Sequence, residues 1–134
     1  MDRTLILVKP DAFARQLTGV ALARLERKGL RLTAVKLMHL DREQAERHYA
    51  EHEGKDFYED LVTFITSGPL VAMVLEGDRA IAAARQVIGD TDPLEAPPGS
   101  IRGEFATEVR RNMLHGSDSS ESAEREVALF FPEL

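Results

Sequence analysis

Residues 112–118 read Asn-Met-Leu-His-Gly-Ser-Asp, and Ser119-Ser120-Glu121-Ser122 follow at once. The fold depends on whether Asn112-Met113-Leu114 is a short strand, because it would be the fourth. Working outward, Thr4-Leu5-Ile6-Leu7-Val8 is a continuous β-rich run, the pattern of a strand buried on both faces. Lys9-Pro10-Asp11 ends it. A helix is expected next, capped near Thr18, with Leu22 and Leu25 inward and Gly29 at its C-terminal cap. Leu32 to Met38 reads as a second strand. Asp41-x-x-Gln44 is a capping-box signature for a helix with the stripe Ala45, His48, Tyr49, His52. A further helix spans about 57–66, with Leu61, Phe64 and Ile65 on one side. Ser67-Gly68-Pro69 is a turn and Leu70 to Leu75 a third buried strand. Asp78 then caps a helix bearing Ile81, Ala84 and Ile88, which Gly89 stops.

Residues 89–103 hold three prolines and three glycines, too many for a long helix or a central strand. They are read as an ordered loop, followed by a short helix over 104–110. The last helix starts near Ser119 and carries Ala123, Val127 and Phe130. Without its insertions the order is β-α-β-β-α-β, a ferredoxin-like split unit of the α+β class. The expectation is one domain over 1–134, a four-stranded antiparallel sheet with helices packed around it. Helices on one face of the sheet would bury this pattern.

The totals narrow the function. At 134 residues and 43% apolar content the chain can build a real core. No apolar run approaches the roughly 18–20 residues needed to cross a bilayer. The N-terminus lacks a signal-peptide pattern. There is no cysteine, which removes disulfides, thiolate metal sites and Cys nucleophiles and suits a reducing, cytoplasmic location. A net charge of −6 argues against dedicated nucleic-acid binding but leaves room for a small anionic ligand held by local cations.

Two histidine clusters stand out. Neutral His115 is a competent nucleophile at pH 7. Gly116 would let the backbone turn sharply after it. Asp118-x-x-Glu121 fits a capping box. The same features also describe a turn histidine beside a capped helix. The other cluster, His48-Tyr49-Ala50-Glu51-His52, matches H-x-x-E-H, a pattern of some zinc peptidases, yet a zinc site needs a third ligand from elsewhere. A five-residue match with two free positions is a weak signal, and histidines flanking a partly buried helix stripe are the better explanation. Walker-type, dinucleotide-binding and hydrolase-elbow motifs are absent from the sequence. Lys9, Arg85, Thr91 and Arg102 are scattered, and would make a phosphate cradle only if the fold converged them.

Several of these pieces recur together. Lys9-Pro10-Asp11 after strand one, His48-Tyr49, Ser67-Gly68-Pro69, Pro98-Gly99-Ser100-Ile101-Arg102-Gly103, the element 112–118 and Ser122-Ala123-Glu124 stand in one order. The chain closely resembles nucleoside diphosphate kinase from about Arg3 to Phe131. The resemblance implies ping-pong transfer of the γ-phosphate of a nucleoside triphosphate, mainly ATP, to nucleoside diphosphates through a phosphohistidine on His115. It further implies that Lys9 contacts the γ-phosphate and sugar, and that Phe57 stacks on the base. Arg85, Thr91 and Arg102 would grip the phosphates, Asn112 the ribose, and Tyr49 would lie beside the reacting phosphoryl. Glu126 would bond one imidazole nitrogen, steadied by Ser117. Mg²⁺ would ride on the nucleotide phosphates near Asp118, with no dedicated protein metal site. A homo-oligomer, tetramer or hexamer built from dimers, is implied as well. The chain departs from the family pattern at Ala12, Gln16 and Val20, at Asp56, Tyr58 and Glu59 around Phe57, and at Ser100.

Overall fold

The computed structural model describes residues 2–134. Strand β1 (Asp2–Val8) is the hinge of the fold, because its apolar run has no polar alternate positions to give to solvent. Side chains alternate across a strand. Leu5 and Leu7 therefore enter one core cluster, and Ile6 and Val8 enter another on the opposite face. The sheet is fully antiparallel, with order β2-β3-β1-β4, where β2 is Arg31–Met38, β3 Leu70–Gly77 and β4 Leu114–Gly116.

Helices α1 (Pro10–Ala14), α2 (Thr18–Arg27), α3 (Arg42–His48), α4 (Tyr58–Ile65), α5 (Ala80–Ile88), α6 (Ile101–Phe105) and α7 (Ser120–Phe130) complete the order, with a 3₁₀ turn at Ala50–His52. Ala21 and Leu25 of α2 and Ala80, Ala84 and Ile88 of α5 cover Ile6, Val8, Met73 and Leu75. Ala45 of α3, Val62 and Ile65 of α4, and Val127 and Phe130 of α7 cover Leu5, Leu7, Ala72 and Val74. The topology is the expected ferredoxin-like unit. The expectation of helices on one face is corrected: the inserted α3–α4 pair and the C-terminal helix bury the other face. Edge strand β2 alternates between half-buried and exposed, and leaves Val35 53% and Leu37 62% exposed.

Several local expectations shift for identifiable reasons. The Asp41–Gln44 capping box is present in full, but its helix ends at His48, so His48 and His52 do not share one continuous helix. Pro10 starts α1 directly after the strand, its fixed φ suiting a first helical position. Gln16 sits at φ 62, a left-handed conformation that explains why its place in the family pattern is usually glycine. Thr18 begins α2 without capping it, and Arg79 at φ 52, not Asp78, is the N-cap of α5. The short helix lies at 101–105, not 104–110, because the Ser100 hydroxyl accepts from the Gly103 amide at 3.1 Å and starts it early. Ser119, not Asp118, caps α7. The fourth strand lies two residues later than 112–114, because Met113 at φ 77 cannot continue an extended ladder. Among the described residues no helix is long and apolar enough to cross a membrane.

Leu25 is fully buried between α2 and the sheet. Leu25→Ala is expected to destabilise the chain by about 2–5 kcal/mol, a transfer loss plus a cavity. Urea unfolding measures this directly, and a cost below about 1 kcal/mol would mean the α2 face is not a packed core.

Candidate active site

Strand β4 pairs with β1 so that Leu7 lies opposite His115. That register places the His115 side chain on the α3–α7 side of the sheet and sends Leu114 into the opposite core. Gly116 does not supply the expected turn. It is a strand residue packed so closely that an added Cβ would meet Ile88 at 2.9 Å, and the reversal of the chain falls at Met113 instead. The Met113 amide donates to Asp11 Oδ2 at 3.1 Å and its carbonyl accepts from the Lys9 amide at 2.8 Å, so the start of α1 fixes the bend.

Around His115 the polar atoms form a directed chain. His115 Nε2 lies 2.9 Å from Glu126 Oε1, the Ser117 hydroxyl donates to the same oxygen at 2.7 Å, and Ser117 Oγ accepts from the Leu5 amide at 3.0 Å. An ionised carboxylate can only accept, so Nε2 carries the proton and Nδ1 keeps its lone pair. Burial would raise the Glu126 carboxyl, but the His115 and Ser117 bonds and the Arg125 charge outweigh it and hold it below the ordinary glutamate range. His48 packs beside this pair, its ring centre 4.7 Å from that of His115. Burial first, and then the nearby His115 and Arg125, keep His48 well below the usual histidine value and therefore neutral. Burial next to Glu126 raises the Tyr49 phenol, so it stays protonated.

A cleft of about 550 Å³ opens in front of His115. All nine residues singled out from sequence, Lys9, Tyr49, Phe57, Arg85, Thr91, Arg102, Asn112, His115 and Glu126, line it. They converge from β1, α3, α4, α5, α6, β4 and α7 and the loops between them. Within it Lys9 Nζ donates to Asn112 Oδ1 at 2.7 Å, and Asn112 Nδ2 donates to the Thr91 carbonyl at 3.0 Å. Arg102 donates to the carbonyls of Asn112 and Gly89, each at 3.1 Å, and to that of Leu114, bracing the loop wall from within. Arg85 donates to the Gly116 carbonyl at 3.1 Å. Phe57 stands at the N-cap of α4 with His52 beside it, ring centres 5.5 Å apart, so the replacements at 56–59 leave Phe57 in the cleft wall. Ser100 keeps a hydroxyl where it is needed to cap α6.

The resemblance implied the loop 89–111 as one wall of the site, and Val109 and Arg110 line the cleft from it, though neither was singled out and His48 was given no role. Val109 lies in an irregular stretch with no periodicity to flag it. His48 was visible only as half of H-x-x-E-H, but His52 does not join it around an ion: the donors that cluster with His48 are His115 and Glu126.

The charge in the cleft is unbalanced. Lys9 and Arg102 are buried without a carboxylate hydrogen-bonded to either. Burial, with Arg102 nearby, lowers Lys9 to about 8, and burial, with Arg85 nearby, lowers Arg102 to about 10. An ordinary lysine titrates near 10.5. Between about 8 and that value the unfolded chain holds a proton that the folded one has released. Stability of the free protein should therefore rise with pH across that window and be lowest in this respect below it. Urea midpoints from pH 7.5 to 10.5 test this. Lys9→Met should remove most of the rise and stabilise the chain at pH 7.5; an unchanged slope would place the pH dependence elsewhere.

Comparison with known proteins identifies the family. The family model for nucleoside diphosphate kinase matches residues 2–134. Nucleoside diphosphate kinase of Listeria monocytogenes serotype 4b (strain CLIP80459) is 60% identical over 131 residues, 98% of this chain and 89% of that protein. The Saccharopolyspora erythraea enzyme of the same name is 58% identical over 134 residues, covering 99% of this chain and 98% of its own. Among solved structures, a halophilic nucleoside diphosphate kinase from Halobacterium salinarum in complex with CDP superposes with TM-score 0.94 at 49% identity, covering 97% of this chain and 87% of that one. A nucleoside diphosphate kinase family protein from Babesia bovis gives 0.96 at 46%, covering 99% and 90%. Nearly the whole chain, cleft included, thus takes part in each match, and the chain belongs to the nucleoside diphosphate kinase family, a family of phosphotransferases.

Proposed function

We propose that the chain moves the γ-phosphoryl of a nucleoside triphosphate, mainly ATP, to a nucleoside diphosphate by way of His115. The observation that carries this reading is the Leu5–Ser117–Glu126–His115 chain, which ends in one unprotonated ring nitrogen at a cation-lined cleft. In the first half-reaction Nδ1 attacks the γ-phosphorus. A P–N bond forms, the bridging P–O bond breaks, and the nucleoside diphosphate leaves with the electron pair. In the second, the terminal oxygen of another diphosphate attacks the phosphohistidine and Nδ1 regains its lone pair. Glu126 balances the positive charge that develops on the ring. Such a transfer asks chiefly for in-line placement and charge neutralisation.

The remaining roles follow from chemistry and position. Lys9, Arg85 and Arg102, with the Thr91 hydroxyl, grip the phosphates. Asn112, already bonded to Lys9, holds the ribose. Tyr49 offers a protonated phenol beside the reacting group. Phe57 stacks on the base, which tolerates any base because each has a π-face. The Halobacterium relative binds CDP, a ligand of the class this cleft would take. Of the three carboxylates lining the cleft, Glu126 is engaged by His115 and Ser117, and among the described residues no set of three His or carboxylate donors gathers around Glu51 or Asp118, which suits Mg²⁺ arriving on the nucleotide phosphates rather than in a protein cage. Asp118, held ionised by its Ser122 bond, is the carboxylate within reach of such an ion through water. The ion would supply charge neutralisation on the phosphates.

A cytoplasmic location fits a cysteine-free chain that works on nucleotides, and the acidic total fits the absence of dedicated nucleic-acid binding. The open edge of β2, with Val35 and Leu37 exposed, suits a homo-oligomer, a tetramer or hexamer built from dimers.

Incubation with γ-labelled ATP should give an acid-labile label on the protein that chases to GTP when GDP is added. His115→Ala should take no label, and a labelled His115→Ala would sink the assignment. Glu126→Ala should slow transfer by on the order of 10²-fold, the cost of a misaligned nucleophile, while the chain stays folded. Replacing Val35 and Leu37 together by glutamate should lower the native mass seen by light scattering; an unchanged mass would move the interface elsewhere.

A further inference from the structure

We propose that His48, His115 and Glu126 form a site for a borderline first-row divalent cation, Zn²⁺, in the nucleotide-free cleft, and that the ion bound there shuts off phosphoryl transfer. One donor atom from each of the three residues lies within 4.8 Å of the other two. His115 Nε2 and Glu126 Oε1, at 2.9 Å, are already close to the edge length of a tetrahedral shell. The two imidazoles stand 4.7 Å apart between ring centres with planes 83° apart. Two imidazoles on one tetrahedral zinc, with bonds of about 2.0–2.1 Å, hold their ring centres roughly 5 Å apart. Side-chain adjustments of an ångström or so close the remaining gap.

His48 is the second, independent pointer. It is 3% exposed, and neither ring nitrogen has a hydrogen-bond partner. Buried polar atoms in native proteins almost always have one. A phenylalanine or leucine would fill the space between Tyr49, His115 and Phe130 without this cost. A buried imidazole whose nitrogens have no partner among the described residues has a free lone pair to offer a metal ion. The set of two imidazoles and one carboxylate, with a fourth position open to the cleft, suits zinc. It does not suit Mg²⁺, which wants an octahedron of oxygens, so the ion on the nucleotide does not compete.

The block follows from proton bookkeeping. A metal on Nε2 of His115 displaces the proton held there. The neutral ring keeps that proton by taking it on Nδ1, the nitrogen whose lone pair attacks phosphorus. Glu126 changes from acceptor to ligand, and His48 adds its free lone pair. No net proton is released from either ring. The blocking step rests on His115 being the phosphoryl acceptor; the binding step does not.

The test uses the nucleotide-free protein and Zn²⁺ alone, titrated by calorimetry, with Co²⁺ in place of zinc to report a tetrahedral field by its visible absorption. One ion per chain is expected. Affinity should fall by about tenfold or more in His48→Phe and in His115→Ala, an effect typical of a lost ligand or its support. His52→Ala, half-buried on the 3₁₀ turn and outside the three-donor cluster, should bind as wild type does. Thermal melts check that His48→Phe is folded. Independently of any variant, ¹⁵N shifts of exactly two imidazoles should move when zinc is added to the wild-type protein. No binding, or binding that needs His52 and not His48, overturns the proposal. With Mg²⁺ in excess, zinc should suppress ³²P labelling of the wild type and spare that of His48→Phe. If zinc binds through these residues but labelling proceeds unhindered, the block is refuted. If no label forms even without zinc, the acceptor reading fails and the metal site is judged on calorimetry alone.

Discussion

The amide of Leu5 donates to Ser117 Oγ, and most of the site depends on that bond. Leu5 lies in the middle of the sheet, fully buried, in one of its two inner strands. Ser117 passes the anchorage to Glu126, and Glu126 to His115. Each member is placed by a different element: β1, the residue just after β4, α7, and β4 itself. The orientation of one imidazole is therefore tied to the register of the central strand pair. A one-residue slip of β4 would turn His115 to the opposite face and send Leu114 out of its core, so hydrophobic burial enforces the catalytic geometry.

Charge works in the other direction. The chain as a whole is acidic, yet Lys9 and Arg102 are buried in one cleft with Arg85 and Arg110 on its walls. Their bonds go to an amide oxygen and to carbonyls, which satisfy hydrogen bonding and leave the charge uncompensated. The lowered Lys9 value is that imbalance expressed as proton affinity. A polyphosphate, the ligand proposed above, would supply the missing negative charge. The free chain carries a local instability that the ligand relieves, a trade often found where binding must be strong and reversible. It also explains how an acidic protein can hold anions locally: Asp11 and Asp90 offset only part of the charge of Lys9 and Arg102, whose hydrogen bonds go to uncharged oxygens.

Sequence reading reached much of this, and its failures have physical causes. The β1 run, the Asp41–Gln44 box, Gly89 as a helix stop and Ser119 near the start of α7 were legible because each is local: a burial pattern or a cap within four residues. Three places escaped it, two because they depend on distant partners and one because no local signal marks it. Met113 is bent by Asp11, a hundred residues away, so β4 could not be located from its own residues. Arg79 adopts a left-handed conformation that nothing in Gly77-Asp78-Arg79-Ala80 demands. His48 reads on a helix stripe like any half-buried histidine, and its contact with His115 exists only once α3 lies against β4. The convergence of Lys9, Arg85, Thr91 and Arg102 was likewise invisible to spacing. It came from motif order, and the structure then brought the four to one cleft.

The inserted helices tie these points together. A bare βαββαβ unit leaves one face of its sheet to solvent, which β1 with its leucines on that face could not tolerate. The α3–α4 insertion and α7 close it. They also bring Tyr49, Phe57 and Glu126 over the end of β4, so the elements that complete the core are the ones that build the cleft. Phe130 shows the overlap within a single side chain, packing into the leucine core while its ring stands 5.4 Å from that of His48. Helix α7 cannot loosen without exposing Leu5 and Leu7 and releasing Glu126 together. The placement of His115 is thus drawn from core packing, at the small opening left where the second layer stops, which suits the rigid nucleophile that the proposed phosphoryl transfer requires.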